Sequence, residues 1–467
     1  MRRYVLIALF ILVLITPLVL RTGANVPHEL RRTSNNAQTL VVVSPHAENI
    51  RTEFADAFSD WHQQHYGQPV FVDYRIYGGA TDIVRYFDSA KATLYKSLGT
   101  YQVDIVWGGG DDLFDNRLRA AGHLEGVRLS DEIMHAAFAQ PKINGLALYD
   151  LNDDPPQWFG TALSSFGIVY NKDVLRYLGV NEPTQWSDLR DPRYRGWIVL
   201  ADPTRSAVAR TAFMLIVERE MQEAIHAGKT ADEGWARGMG LIRQIASNAR
   251  LFTDSGSVVS GVVSTGDAAA GMAIDFQARS QLDAVRDPTS GQSRLGYIEP
   301  VGVTSVDPVA LVKGAEHREV AIHFIEFLLS DPGQRLWITR AGAPGGPKQT
   351  SLRRMPVRKD VYDHPSNFTD EINPWQQTVG DFNATHAAVA TSGILAELIQ
   401  MSCIDPLDDL QRVPTEKLGD FPFGQTEALA RLARWKTASP ADRLRLGREW
   451  TEEFRQEYRR LQVEKKD

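Results

Sequence analysis

Residues 158–173, WFGTALSSFGIVYNKD, change character in the middle. Small and polar residues around Ser164 and Ser165 precede an apolar run at 166–170, which has the aromatic and β-branched content of a fully buried strand. The two hydroxyls therefore stand at the mouth of a buried strand, where open α/β sheets present groups to a ligand. We interpret the stretch as a strand that crosses between two lobes. A serine pair satisfied within an ordinary loop is the alternative.

The first lobe is predicted from a strand–turn–helix pattern that occurs three times. A buried strand ends in small or hydroxylated residues, and a helix follows, as at 40–43 before an amphipathic helix through Phe54 and Phe58. The three strand exits comprise residues 44–46, 78–81 and 108–112. Glycine at such an exit permits close approach of the backbone to a ligand. The spacing matches neither a dinucleotide fingerprint nor a P-loop.

Residues 160–300 repeat the alternation of strands and helices and predict a second α/β lobe. Strands at 196–200 and 269–276 lead to Asp202 and Asp275. The chain then returns to the first lobe, and two crossings make a hinge. Helical periodicity and increasing charge after residue 375 predict a helical C-terminal extension that covers a lobe. The basic run SLRRMPVRK at 351–359 is interpreted as a solvated loop.

The N-terminus predicts export. Arg2 and Arg3 precede an apolar block at 4–20 with no clear cleavage site, which favours an uncleaved membrane anchor over a removed signal, with the rest of the chain in the periplasm. The single cysteine, Cys403, provides neither a disulfide framework nor a lipoprotein attachment site. The predicted segments are 1–21 signal or anchor, 22–38 linker, 39–157 lobe 1 completed by 301–362, 158–300 lobe 2 and 363–467 extension.

Composition and motifs argue against several classes of function. A net charge of −7 argues against nucleic-acid binding. No nucleophile elbow or zinc-protease motif occurs, so we expect neither an enzyme nor a cofactor. His62 and His65 are interpreted as a solvated helix face rather than a metal pair.

The successive motifs LVVVSPHAENIRTEFADAF, YGGATDIVRYF, VDIVWGGGDDLF and SSFGIVYNKD, with LLSDPGQ and MPVRKDVY later, resemble bacterial ABC-transporter solute-binding proteins of the type II periplasmic-binding fold, particularly the ferric-iron branch. The resemblance covers about residues 40–362. It implies an α/β two-lobed monomer that closes over a small solute and delivers it to a membrane permease. In iron-binding members adjacent tyrosines hold the metal, whereas residues 274–278 here read IDFQA, so iron is the less favoured ligand.

The expected ligand is a small polar solute held by hydroxyls and backbone N–H groups, with an oxyanion favoured at the helix N-termini. Carboxylates at Asp202, Asp275 and Asp307 would favour an added amine, hence a zwitterion such as an aminophosphonate. A membrane-anchored sensor or scaffold of the same fold is the other alternative. The predicted ligand-binding residues are Ser44, His46, Gly79, Thr81, Gly109, Ser164, Ser165, Asp202 and Asp275.

Overall fold

The computed structural model describes residues 37–377 and 390–463. Its longest strand, β7 (Phe159–Asn171), is buried along its whole length. The first half of β7 pairs antiparallel with β12 (Val303–Val312), and its second half pairs with β10 (Ala270–Ile274) and β11 (Leu295–Ile298). The partner changes between Ser165 and the following phenylalanine, so the crossing lies at the predicted serines. The chain returns from β11 to β12, which is the second crossing.

The remaining strands complete two sheet regions that share β7. In lobe 1, β1 pairs in parallel with β2 and β3, and β12 runs antiparallel to β3. In lobe 2, β8 pairs in parallel with β9 and β10. These strands are β1 (Gln38–Val43), β2 (Val70–Arg75), β3 (Ile105–Trp107), β4 (Leu124–Glu125), β8 (Ile198–Ala201), β9 (Ala249–Thr253) and β13 (Met355–Pro356). A separate two-stranded sheet is formed by β5 (Lys142–Ile143) and β6 (Leu146–Ala147).

Helices cover both sheet regions. Through residue 338 they are α1 (Glu48–Tyr66), α2 (Ala80–Ala90), α3 (Lys96–Leu98), α4 (Asp131–Phe138), α5 (Lys172–Leu178), α6 (Ala207–His226), α7 (Ala231–Ser247), α8 (Gly256–Thr265), α9 (Asp275–Ala284), α10 (Arg318–Leu329) and α11 (Asp331–Ile338). The C-terminal helices are α12 (Ser392–Ile399), α13 (Leu407–Gln411), α14 (Gln425–Thr437) and α15 (Pro440–Val463). Short π-helical turns occur at Lys91–Tyr95, Leu113–Arg119 and Gln400–Ile404, and short 3₁₀ turns at Trp186–Arg190, Pro192–Tyr194, Asp360–Asp363 and Thr415–Lys417.

Residues 390–463, here the C-terminal module, belong to the hydrophobic core of lobe 2. Trp450 and Phe454 of α15 are buried in the same apolar cluster as the strands of that lobe. The buried guanidinium of Arg243 on α7 donates to the carboxylate of Glu457 at 3.0 Å and to the carbonyl oxygen of Asp420 at 2.9 Å. The extension is therefore packed on lobe 2 and contributes to its core.

Several local predictions differ from the structure. The run at 351–359 is not a solvated loop, because Arg353 and Arg354 are buried and the run forms β13 against β7. His62 is also buried, with hydrogen bonds to the carbonyl oxygen of Gln68 and to His323, so only His65 lies on an exposed helix face. In both places the tertiary contacts of a neighbouring segment cover a polar side chain that the local sequence pattern leaves exposed.

Two helix starts also differ. Asp275 begins α9 and does not end a strand. The sequence Ser330-Asp331-Pro332 predicts Asp331 as the N-cap of α11, but the N-cap is Ser330, whose hydroxyl accepts from the Gly333 N–H, and Asp331 is the first helical residue.

The predicted anchor at 1–21 lies outside the described residues, as do linker residues 22–36. Among the helices within 37–377 and 390–463, none combines the length and apolar character needed to cross a bilayer.

The packing of the C-terminal module predicts a large stability difference along one helix. Phe454→Ala removes a buried aromatic side chain and should lower the free energy of unfolding by about 3–5 kcal/mol. Leu444→Ala on the same helix, where the side chain is 68% exposed, should change it by less than about 0.5 kcal/mol. Urea unfolding followed by tryptophan fluorescence measures both. Equal, small effects would show that the module does not stabilise lobe 2.

Candidate functional site

The exit of β1 forms the first part of the candidate site. Ser44 is buried, and its Oγ accepts from the backbone N–H of His46 at 3.1 Å while lying 3.0 Å from Nδ1 of the same imidazole. The other ring nitrogen, Nε2, lies 2.6 Å from Oδ2 of Asp307 on β12. With the serine hydroxyl donating to Nδ1, the proton on the ring belongs on Nε2, which donates to the carboxylate. The first strand exit is thereby tied to the crossing strand.

The glycines after β3 permit this arrangement. Gly108 has a φ of +92°, and a Cβ there would lie 2.7 Å from Cε1 of His46. The backbone N–H of Gly109, at φ +108°, donates to Oδ1 of Asp307 at 3.1 Å. Positive φ angles and close backbone approach are both accessible to glycine at little cost. A side chain at Gly108 would displace the imidazole.

Arg354 connects this cluster to the second lobe. Its Nη1 donates to Oδ2 of Asp307 at 2.5 Å, and its Nη2 donates to Oγ of Ser164 at 2.9 Å. The guanidinium carbon also lies 5.0 Å from the ring centre of Phe276 in lobe 2 and 5.1 Å from that of Trp337 in lobe 1. One buried cation thus contacts the crossing strand and aromatic residues of both lobes.

Asp307 is ionised in this setting. Burial by itself opposes ionisation, but Arg354 and His46 outweigh it and hold the pKa of the Asp307 carboxyl well below its usual range. The carboxylate therefore does not present a free negative charge to a ligand, because Arg354, His46 and the backbone N–H of Gly109 already hold it.

The lobe-2 side carries a second charged group. Arg279 of α9 donates to the carboxylate of Glu299, which also accepts from the side-chain amide of Gln377 at 3.2 Å. Asp275 is completely buried, and its Oδ2 lies 3.5 Å from Nη1 of Arg279. Burial raises the pKa of Asp275 to about 7, with Glu299 acting in the same direction and Arg279 and Arg354 opposing it. This carboxyl is therefore partly protonated near neutral pH.

Polar atoms without hydrogen-bond partners collect where the two lobes meet. Within the described residues they include Oγ of Ser165, Oγ1 of Thr304, Nε of Arg354 and both carboxyl oxygens of Asp275. Tyr297 OH faces Ser165 without a hydrogen bond of normal geometry. Buried polar atoms are rarely left unpaired in folded proteins, so these atoms are candidates to contact a bound solute.

The structure brings together several of the predicted residues. Ser44, His46, Gly109 and Ser164 join one network around Asp307 and Arg354. Ser165 and Asp275 border that network without hydrogen bonds of their own.

Gly79 and Thr81 lie at the start of α2, where Gly79 is the N-cap and both residues reach solvent. A Cβ on Gly109 would be 4.0 Å from the Cβ of Ala80, so this turn adjoins the β3 exit. The lobe-1 strand exits therefore converge.

Asp202 has different neighbours. Its Oδ1 accepts from the N–H and hydroxyl of Thr204 at 2.8 and 2.7 Å. Its charge acts on Glu397 and Asp405 of the C-terminal module, two carboxyls whose pKa values burial raises. The described contacts thus join Asp202 to its own turn and to the C-terminal module.

Sequence reasoning missed Arg354, Arg279 and Glu299. Arg354 lies in the basic run at 351–359, where the apolar residues Leu352, Met355 and Val357 around it are a signal of burial. Arg279 and Glu299 are distant in sequence and carry no motif. For the same described residues, no group of three or more His, Cys, Asp or Glu side chains has the geometry to hold a metal ion.

Two lobes that share crossing strands, with polar strand exits facing a common junction, define a two-lobed binding protein. The chain belongs to the family of bacterial extracellular solute-binding proteins, whose model matches residues 111–361, more than half of the sequence. The periplasmic binding protein P5PA shares the fold with a TM-score of 0.53 at 16% identity, over 86% of this chain and 99% of that one. This is the type II periplasmic-binding fold with a helical C-terminal extension, as the sequence predicts.

Other relatives carry names that bear on the ligand. The phosphoglycerate transport regulatory protein PgtC of Salmonella typhimurium is 28% identical over 177 residues, 38% of this chain and 39% of that protein. The match therefore spans only about two fifths of this curated relative. AfuA from Actinobacillus pleuropneumoniae, solved with exogenous fructose-6-phosphate bound, has a TM-score of 0.50 at 19% identity, over 74% of this chain and 92% of AfuA.

Loss of the central cation should destabilise the protein in a pH-dependent way. Arg354→Met leaves Asp307 buried with one partner fewer, which should lower the free energy of unfolding at pH 7 by about 3–5 kcal/mol. Because the arginine depresses the pKa of Asp307, its contribution is present above the unfolded-state pKa and is lost as pH falls. The difference from wild type should therefore shrink as pH falls below about 4.

The control is Arg128→Met, whose side chain is 74% exposed in its ion pair and should matter little. Urea unfolding at several pH values measures both variants. A loss for Arg354→Met that is no larger than the control, or that does not change with pH, would contradict the assignment of Arg354 as the partner that keeps Asp307 ionised.

Proposed function

We propose that the chain is the substrate-binding component of an ABC transporter, closing its two lobes over a small phosphorylated solute and delivering it to a permease in the inner membrane. The observation that carries the proposal is Arg354, which lies between the lobes with an unused Nε among unpartnered hydroxyls. Hinge closure about a bound ligand is a common mode of switching in two-lobed proteins. A group that satisfies these atoms would hold both lobes together.

The chemistry of the junction favours an oxyanion that also carries hydroxyl groups. Arginine suits phosphate oxygens, and the Nε of Arg354 has no partner of its own at the junction. The hydroxyls of Ser165, Thr304 and Tyr297 can donate to anionic oxygens or accept from ligand hydroxyls. Arg279 and Arg354 are already paired with carboxylates, so the hydroxyls and the remaining Nε of Arg354 must supply much of the binding.

The names of two similar proteins also favour a phosphorylated solute with hydroxyl groups. PgtC is named for phosphoglycerate transport, and AfuA was solved with fructose-6-phosphate. Both compounds combine a phosphate with hydroxyl groups. The zwitterionic aminophosphonate remains a narrower prediction, because its amine would need an ionised carboxylate at the junction.

A tyrosine-held ferric ion is less well supported. Residue 276, after β10, is phenylalanine, and a phenyl ring offers no oxygen to a hard cation. Its ring instead packs beside Arg354.

A second function, an anchored sensor, has one specific argument. PgtC is named as a transport regulatory protein, and the C-terminal module lies outside the residues that the family model matches. In that case lobe closure would be read by a partner protein, with the N-terminal block at 4–20 as the tether. In both proposals, transporter component and sensor, the chain acts on the periplasmic side as a binding protein without catalysis.

Calorimetric titration tests the proposal. We expect 3-phosphoglycerate or fructose 6-phosphate to bind the purified protein, with inorganic phosphate weaker because it lacks the hydroxyls. Ser165→Ala should weaken binding by about 1 kcal/mol, roughly fivefold, through loss of one hydrogen bond. Ser257→Ala, on the exposed start of α8, is the matched control and should leave affinity unchanged.

Three outcomes would contradict the proposal. They are tight ferric binding from ferric citrate with a visible charge-transfer colour, equal effects of the two serine variants, and no heat with either phosphorylated probe. Uptake assays with a deletion strain then separate transport from sensing, since a sensor mutant would alter expression without slowing transport by an already expressed permease.

A further inference from the structure

Asp275 differs from the other charged residues at the lobe junction because nothing pairs with it fully. It is the first residue of α9, at the end of β10, and its side chain is 0% exposed. Neither carboxyl oxygen has a hydrogen-bond partner of normal geometry in the described residues, although the backbone N–H of Phe276 lies near enough to favour the ionised form. The nearest cationic atom, Nη1 of Arg279, is 3.5 Å away and beyond a good hydrogen bond. The carboxyl is therefore buried and open to a donor or an acceptor.

The carboxylates around and including Asp275 outnumber the guanidinium groups that can pair with them. Arg279 on α9 is bonded to Glu299, which follows β11, and Arg354 from β13's segment is bonded to Asp307. The other titratable neighbours are two buried phenols, Tyr297 on β11 and Tyr362 from the 3₁₀ turn after β13. Asp370 acts on Arg279 in addition. Each guanidinium thus already has a carboxylate partner, and Asp275 is an additional acid.

An additional buried carboxylate is unfavourable in two ways. Ionised, it would lie without solvation beside Glu299, and an anionic solute at the junction would add further repulsion. Protonated, the same group is a hydrogen-bond donor of the kind that an anionic oxygen accepts. Burial already places the pKa of Asp275 at about 7, so the change needs little free energy near neutral pH.

We propose that Asp275 binds the solute as a carboxylic acid, donating a hydrogen bond to an anionic ligand oxygen, so that above neutral pH the protein takes up as much as one proton from solvent with each anion. This deepens the proposed function and rests on it. The ligand class is then a phosphorylated or carboxylated anion without an ammonium group next to Asp275. Asp275 selects against a cationic group at this position only while it holds its proton.

Calorimetry on the full chain tests this, with 3-phosphoglycerate and fructose 6-phosphate as probes in buffers of different ionisation enthalpy. Wild type should take up as much as one proton above neutral pH, and its Kd should rise by up to about tenfold per pH unit there. Asp275→Asn has the same shape without the titration. It should bind as wild type does near pH 6 and lose the additional slope, while the ionisation of the ligand itself affects both proteins equally.

Asp173→Asn, an exposed position on α5, is the matched control and should keep the wild-type slope. Binding with equal slopes in wild type and Asp275→Asn overturns this inference alone. Binding that strengthens with pH also overturns it, since that would show an ionised carboxylate facing a ligand cation. Failure of both probes to bind overturns the proposed function, and this inference with it.

A measurement without ligand adds an independent check. The pKa of Asp275 is higher in the folded protein than in the unfolded chain, so the folded state retains a proton that the unfolded chain has released. Wild-type stability should therefore decrease relative to Asp275→Asn as pH rises from about 4.5 to about 7.5. Parallel stability profiles would mean that Asp275 is not the titrating group, which overturns the inference even if the probes bind.

Discussion

The contact on which the two-lobed arrangement depends is the buried ion pair of Arg354 and Asp307. The arginine comes from the segment after α11, the aspartate from the crossing strand β12, and His46 from the exit of β1. A charge buried without a partner costs several kcal/mol, so each of these groups requires the others. The same guanidinium lies against the ring of Phe276 in lobe 2, which places this buried ion pair of lobe 1 at the lobe junction.

The long strand β7 connects the two lobes next to this ion pair. It is hydrogen-bonded to lobe 1 through Ser165 and to lobe 2 from Phe166 onward. Because β7 is continuous, it relates the orientation of one sheet to that of the other. The loop between β11 and β12 contains Glu299, the partner of Arg279. Closure on a ligand would therefore adjust side chains next to the hinge. The unpartnered polar atoms at this place are those that a ligand can satisfy without rebuilding either core.

The C-terminal module supplies ionic partners and neighbours to charged residues of lobe 2. Arg243 is nearly fully buried and needs Glu457 from α15 as its ionic partner, so α7 is not complete without the module. Asp202, at the exit of β8, lies near two module carboxyls and not in the Arg354 network. The lobe-2 strand exits are thus divided between two environments, with Asp275 toward lobe 1 and Asp202 toward the module.

The sequence by itself determined the order of strands and helices, the crossing at Ser164 and Ser165, and the convergence of the glycine and serine exits in lobe 1. Those features follow from local periodicity and from the backbone conformations that only small residues tolerate. Only the tertiary structure decided the ion pairs, because Arg354, Asp307 and His46 are far apart in the chain and arginine in a basic run usually faces water. Burial of a charge is decided by its partners, and sequence spacing does not encode which partners meet.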